Sequence, residues 1–257
     1  MAQSYSVRDL GIPGGFTPGA GANSVAHAIN NGGAVAGEWG ANTSSQRAFL
    51  FAGNTNADLG LLTGMQYEAA YAVNVSNLVV GEAEDTVGSY HAFLYTNGAM
   101  VDLTSVTEFP GFYAYSIAHA INASGKIAGE SLVASNSQDI HAVIFAGHGQ
   151  TDLGTLTNGA YSVAYGINNS NVIVGESTVS SGDVFAFVYS NGTMSAVGTL
   201  PGGKYSAAFA VNDVGQIAGE ADTGNGETHA FLFKNGIMAD LGTFGGTNSS
   251  AKAINHA

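Results

Sequence analysis

A short pattern recurs along this chain and limits what it can fold into. A run of small residues ends in Asn, a tight turn follows, and a second run ends in Gly-Glu. The first copy runs from Ala28-Ile29-Asn30 to Gly37-Glu38. Later copies run from Ala72-Val73-Asn74 to Gly81-Glu82, from Ala120-Ile121-Asn122 to Gly129-Glu130, from Gly166-Ile167-Asn168 to Gly175-Glu176 and from Ala210-Val211-Asn212 to Gly219-Glu220, and Ala253-Ile254-Asn255 opens a sixth. The six Asn residues lie 44, 48, 46, 44 and 43 positions apart. A period in the forties that holds only strand signals suits a four-stranded propeller blade.

Each unit supplies four strand candidates, a to d. Strand a carries the Asn and strand b the Gly-Glu. Strand c is an aromatic-aliphatic run, as in His91-Ala92-Phe93-Leu94-Tyr95, and strand d is short, as in Thr151-Asp152-Leu153-Gly154. The runs are bounded by Gly, Asn, Ser or Pro, and no helical apolar period persists for three turns. Three residues after each strand-a Asn stands Gly33, Asn77, Gly125, Asn171 or Gly215. Gly and Asn are the residues that tolerate left-handed backbone best, so a type I turn closed at positive φ is expected. Asn97-Gly98, Asn191-Gly192 and Asn235-Gly236 mark c–d hairpins. The b–c link is looser, nine residues from the Glu to strand c in four units and eleven in the third.

The expected fold is therefore all-β: one repeat domain over residues 1–257, a β-propeller of four-stranded blades, with units near 23–63, 67–107, 115–157, 161–201 and 205–245. Terminal half-units are expected at 4–11, strand-d-like, and at 248–257, strand-a-like. Five blades is the favoured count, with the terminal strands overlapping; a sixth blade made of those two strands, or an open repeat stack, are the alternatives. Leftover strand edges would invite self-association.

Composition narrows the partners. Six Lys plus Arg face nineteen Asp plus Glu, for a formal charge of −13, which disfavours nucleic acid and anionic membrane. No stretch approaches the roughly 20 apolar residues of a membrane helix, so no membrane insertion is expected. Without Cys there is no disulfide framework and no thiolate metal site.

The pattern Ala-Ile-Asn, Val-Gly, His-Ala-Phe and Asp-Leu-Gly-Thr-Leu resembles the HAF repeat of bacterial proteins. His-Ala-Phe stands at His91 and His229, Asp-Leu-Gly-Thr-Leu at Asp152–Leu156, and Asp-Leu-Gly-Thr-Phe at Asp240–Phe244. The resemblance covers the chain from about residue 6 onward and implies a secreted, extracellular repeat protein. It brings no catalytic motif. No signal peptide is visible at Met1-Ala2-Gln3-Ser4, so that location presumes one has been removed. The family has a small or polar residue after Val-Gly; here Glu follows the Gly in all five units.

Those residues, Glu38, Glu82, Glu130, Glu176 and Glu220, would form a circle of carboxylates in a ring. With six basic side chains in the chain, most cannot be salt-bridged. They fix the b–c loops, bind a cation or ligand, or act as a glycan-active acid and base. Seven residues before the Asn stand Tyr67, Tyr115, Tyr161 and Tyr205, rings that pack blade edges or stack on sugars. Three residues before it stand His27, Tyr71, His119, Tyr165, Phe209 and Lys252, a mixture that reads as blade packing. The longer d–a loop from Thr104 to Tyr115, with Glu108, Phe112 and Tyr113, is a candidate pocket wall. Asp222, Asn225 and Glu227 offer hard oxygen ligands at short spacing, and calcium is the cation they would suit; no other cofactor is expected. A binding or scaffold propeller for a glycan or another neutral ligand is the leading expectation. A glycan hydrolase or lyase and a self-assembling structural protein are the alternatives.

Overall fold

The structure, a computed structural model, describes residues 6–11, 13, 23–40, 46–104, 114–133 and 139–255. Tyr113, Glu108 and Phe112 lie outside them. Twenty strands form five four-stranded antiparallel sheets, each built from consecutive strands, and no helix is found among the described residues. The first blade comprises β1 (Asn23–Ile29), β2 (Val35–Gly40), β3 (Arg47–Ala52) and β4 (Thr55–Asp58). The second is β5 (Met65–Val73), β6 (Val79–Asp85), β7 (Tyr90–Thr96) and β8 (Ala99–Asp102). The third is β9 (Ser116–Ile121), β10 (Ile127–Leu132), β11 (Ile140–Ala146) and β12 (Gly149–Asp152). β13 (Ser162–Ile167), β14 (Ile173–Thr178), β15 (Val184–Ser190) and β16 (Thr193–Gly198) make the fourth, and β17 (Ser206–Val211), β18 (Ile217–Asp222), β19 (Thr228–Lys234) and β20 (Ile237–Asp240) the fifth. This is the expected all-β propeller with five blades.

The turns are as the residue types require. Asn77 and Asn171 close the a–b turns at φ 58° and 62°, and Asn97-Gly98 turns between β7 and β8 with both residues at positive φ. Strand d ends earlier than its sequence suggests. Asp58 Oδ1 accepts the N–H of Gly60 at 3.0 Å, so the chain turns there, after the Leu59 N–H has donated to the Ala48 carbonyl at 3.0 Å. That Leu then fills the space between blades: Leu59 packs with Val79 and Phe93 of the next blade, and Leu103 with Ile127 and Phe145. The core is thus a series of inter-blade clusters. Each joins the Ala residues of one blade to the aromatic and aliphatic residues of the next.

The Asn of each unit ties neighbouring blades as well as its own turn. Asn122 Oδ1 accepts the N–H groups of Ser124 and Lys126 at 3.1 and 2.9 Å, while its Nδ2 donates to the carbonyl of Asn168 at 3.1 Å. The same donation runs from Asn30 to Asn74, Asn74 to Asn122, Asn168 to Asn212 and Asn212 to Asn255, at 2.7–3.1 Å. Only an amide both accepts and donates here, which separates Asn from Asp. Asn122→Asp keeps the turn acceptors but turns a buried carboxylate on a carbonyl oxygen. It is expected to lower the unfolding free energy by about 3 kcal/mol in urea melts, more than Asn31→Asp at an exposed turn.

The motifs on strands c and d are explained together. His91, His141 and His229 each place Nδ1 2.9 Å from the Asp of the neighbouring strand: Asp102, Asp152 and Asp240. Arg47 and Asp58 make the same pair at 3.3 Å. In the fourth blade Phe185 replaces the His, and Ala196 stands in the register position of the Asp, so both partners change together.

Candidate binding site

Each inner strand carries a β-bulge at one place. The register jumps over His27, Tyr71, His119, Tyr165 and Phe209, leaving that residue as the extra one. A bulge re-aims its side chain, and here the five re-aimed rings meet around the axis. Ring centroids are 5.5 Å apart for His27–Tyr71, 5.9 Å for Tyr71–His119, 5.5 Å for His119–Tyr165 and 5.4 Å for Tyr165–Phe209. The Lys252 ammonium extends the series, 3.5 Å from the Phe209 ring centre.

The bulge also explains the Gly of Gly-Glu. At each such Gly an added Cβ would lie about 1.8–2.0 Å from a carbonyl oxygen of the paired inner strand. Glycine is needed there for close backbone approach, at an ordinary φ.

The Glu that follows is paired with the belt. Glu38 accepts from the Tyr67 hydroxyl at 3.1 Å, Glu82 from Tyr71 at 2.7 Å and Glu176 from Tyr165 at 3.1 Å. Glu130 accepts from Tyr115 at 3.2 Å and lies 3.2 Å from His119 Nε2. Glu220 accepts from Tyr205 at 3.2 Å and faces the Lys252 ammonium at 3.5 Å. Burial pushes Glu82 and Glu176 above the ordinary carboxylate range, though the Tyr71 and Tyr165 hydroxyls oppose the rise. Burial and the neighbouring carboxylates hold Tyr67, Tyr115 and Tyr205 far above the usual phenol range. Burial raises Tyr161 too, between Glu130 and Glu176.

The sequence-derived candidates thus meet in one belt of phenols and carboxylates. The Tyr residues face Glu side chains, and three of them bridge blades through the backbone: Tyr115, Tyr161 and Tyr205 each form a parallel bridge to the strand c start of the preceding blade. All five Glu residues accept a Tyr hydroxyl: Glu82 and Glu176 from the bulge residues Tyr71 and Tyr165, and Glu38, Glu130 and Glu220 from Tyr67, Tyr115 and Tyr205. Strand alternation alone hid the belt, because the residue three before the Asn points to the axis only through the bulge. One signal was available: that position is His, aromatic or Lys in all six copies.

The metal candidates lie elsewhere. Asp222, Asn225 and Glu227 surround the b–c turn of the fifth blade, where Thr223 N–H donates to the Glu227 carbonyl at 2.8 Å and the Glu227 carboxylate is 3.6 Å from His229. Among the described residues no three His, Asp or Glu side chains gather as a metal site.

Two to four residues beyond the belt, at the Asn ends of the inner strands, a cavity of about 870 Å³ opens on the axis. It is walled by five repeats of one triplet, Ile or Val, then Asn, then a variable residue, from Ile29-Asn30-Asn31 to Val211-Asn212-Asp213, and by Ala253-Ile254-Asn255 of the sixth copy. Among the described residues its wall holds no Lys, Arg or His and one acid, Asp213. Sequence reasoning treated these Asn residues as turn formers only.

No protein-family model and no curated protein matches the chain. The structure is similar to TolB from Acinetobacter baumannii, with a TM-score of 0.54 and 11% identity over 83% of this chain. The match takes in 52% of TolB, so this chain spans about half of that one. What the likeness shows is the fold, a β-propeller.

Proposed function

We propose that this protein is a binding propeller that takes a neutral, polyhydroxylated ligand, a glycan, into the axial cavity, and that it works outside the cytoplasm. The observation that carries the reading is the cavity wall: six Asn-bearing segments with aliphatic neighbours and, among the described residues, no cationic side chain. Such a wall offers apolar contact from its Ile and Val residues and hydrogen bonds from the exposed Asn31 and Asn169, while Asn74, Asn122, Asn168 and Asn212 hold the blades together. The chain's −13 charge and the acidic belt beneath act against anions. The low share of charged residues, 10%, and the resemblance to an extracellular repeat support the location.

Ala123 is exposed on the cavity rim and serves as the test position. Ala123→Trp is expected to leave the melting temperature within about 2 °C and to weaken glycan binding at least roughly tenfold, read by calorimetry against hits from a cell-wall glycan array. An array without hits, or a variant that binds as the parent does, would overturn the assignment.

A further inference from the structure

We propose that Glu130, Tyr161 and Glu176, where the third blade meets the fourth, form a site for an alkylammonium ligand, a linear diamine. A strand-a Tyr bonds a carboxylate of the belt in one of two ways. Tyr115 and Tyr205 donate to the Glu of their own blade, Glu130 and Glu220, at 3.2 Å. Tyr67 donates to Glu38 of the preceding blade at 3.1 Å. Tyr161 has a carboxylate of each kind beside it. Glu176 pairs with Val163, two residues along the chain from Tyr161, the same register that joins Tyr115 to Glu130 and Tyr205 to Glu220. Glu130 belongs to the preceding blade and acts on the same phenol. Yet the Tyr161 hydroxyl bonds to neither. Glu176 accepts from Tyr165 instead, and Glu130 Oε1 is shared by Tyr115 and His119.

Glu130 carries the second sign. It is 5% exposed, and its Oε2 is buried without a hydrogen-bond partner among the described residues. A buried carboxylate oxygen left so costs free energy that a donor would recover. Tyr161 and Glu176 beside it are half-buried and keep contact with solvent. An ammonium has three N–H donors and no acceptor, and Glu130 Oε2, the Tyr161 oxygen and Glu176 supply three acceptors. The rings of His119 and Tyr165, 5.5 Å apart, add aromatic faces. The chain shows the same chemistry with a cation of its own. Phe209 has no hydroxyl for Glu220, and the Lys252 ammonium lies 3.5 Å from that carboxylate and 3.5 Å from the ring centre. Among the described residues of the belt five Glu face this one ammonium, so further positive charge is favoured. Successive ring centroids are 5.4–5.9 Å apart. An extended four-carbon diamine spans about 6 Å between nitrogens, enough to reach the next carboxylate of the belt. A calcium ion would need at least roughly six oxygen ligands, and among the described residues no three His, Asp or Glu side chains gather for one.

Calorimetry with 1,4-diaminobutane is the test, with tetramethylammonium and calcium chloride as the other probes. The diamine is expected to bind. Tetramethylammonium, which has no N–H, should bind at least roughly tenfold more weakly, and calcium should neither bind at the site nor displace the diamine. Tyr161→Phe removes one oxygen and no hydrogen bond of the folded state. It should leave the melting temperature within about 2 °C and weaken diamine binding roughly tenfold. Glu130→Gln should weaken it at least as much. Glu227→Gln makes the same change of charge in the b–c turn of the fifth blade, on a side chain 41% exposed, and should bind as the parent does. No binding of the diamine, or unchanged affinity in Tyr161→Phe, would overturn the proposal. So would tetramethylammonium or calcium binding as tightly as the diamine. Equal losses in Glu227→Gln and Glu130→Gln would reduce the effect to attraction by the chain's net charge and overturn it too.

Discussion

Gly175→Ala is expected to destabilise the protein by about 3 kcal/mol or more, although it adds a single methyl group. The added carbon would sit 1.8 Å from the Val163 carbonyl oxygen and 2.9 Å from Cε1 of Phe187. Neither neighbour has room to move, since Val163, Val174 and Phe187 are all buried between blades. Gly149→Ala is the control. Its Cβ would meet its first neighbour at 3.5 Å and its φ is not in the left-handed region, so it should stay within about 0.5 kcal/mol of the parent. Urea unfolding of both variants measures the difference. A mild effect at Gly175 would mean that the bulge does not bring the strands together as described.

Glu68→Gln should stabilise the protein at alkaline pH. Glu68 stands where the third, fourth and fifth blades have Ser116, Ser162 and Ser206, whose hydroxyls accept the N–H groups of Ala92, Ala142 and Ala186. It is fully buried; one carboxylate oxygen accepts the Leu62 N–H and the other has no hydrogen-bond partner among the described residues. Burial pushes the carboxyl up to about 7 from an ordinary 4.5, against the pull of the Leu62 N–H and of Arg47. A carboxyl raised on folding holds its proton more tightly in the folded state. Stability is therefore unaffected by this group below pH 4.5, falls as pH rises toward 7, and stays reduced above it. The full penalty is about 3 kcal/mol. Glutamine keeps an acceptor for Leu62 and carries no charge. Its melting temperature should exceed the parent's by about 6–12 °C at pH 8, and the gap should close near pH 4. Equal melting temperatures at pH 8 would show that the charged carboxylate is solvated after all.

The repeat period, the four strands per unit and the turn chemistry were legible in the sequence, because each rests on local rules. Asn77 and Asn171 needed positive φ and have it. What local rules could not show was contact between units. Asn122 was legible as a turn residue, but its donation to Asn168 depends on how one blade stacks on the next. His91 and Asp102 were each visible in their motifs, and only strand pairing brings them to 2.9 Å. The bulge was the largest omission. It shifts one residue out of strand alternation, so Tyr71 and His119 turn to the axis and reach Glu82 and Glu130. That most of the five Glu residues lack a Lys or Arg partner was legible from six basic side chains, and only Glu220 has one, Lys252; their Tyr partners were legible only as rings for sugars or blade edges.

The central claim is that the ligand sits on the axis, inside the circle of Asn triplets. A crystal structure with the tightest-binding oligosaccharide tests it most directly. Ligand density is expected in the cavity, with hydroxyls bonded to the exposed Asn31 and Asn169 of the wall and the ligand's apolar faces against the Ile and Val residues. Density on an outer blade edge, or across the b–c loops with the axis empty, would contradict it.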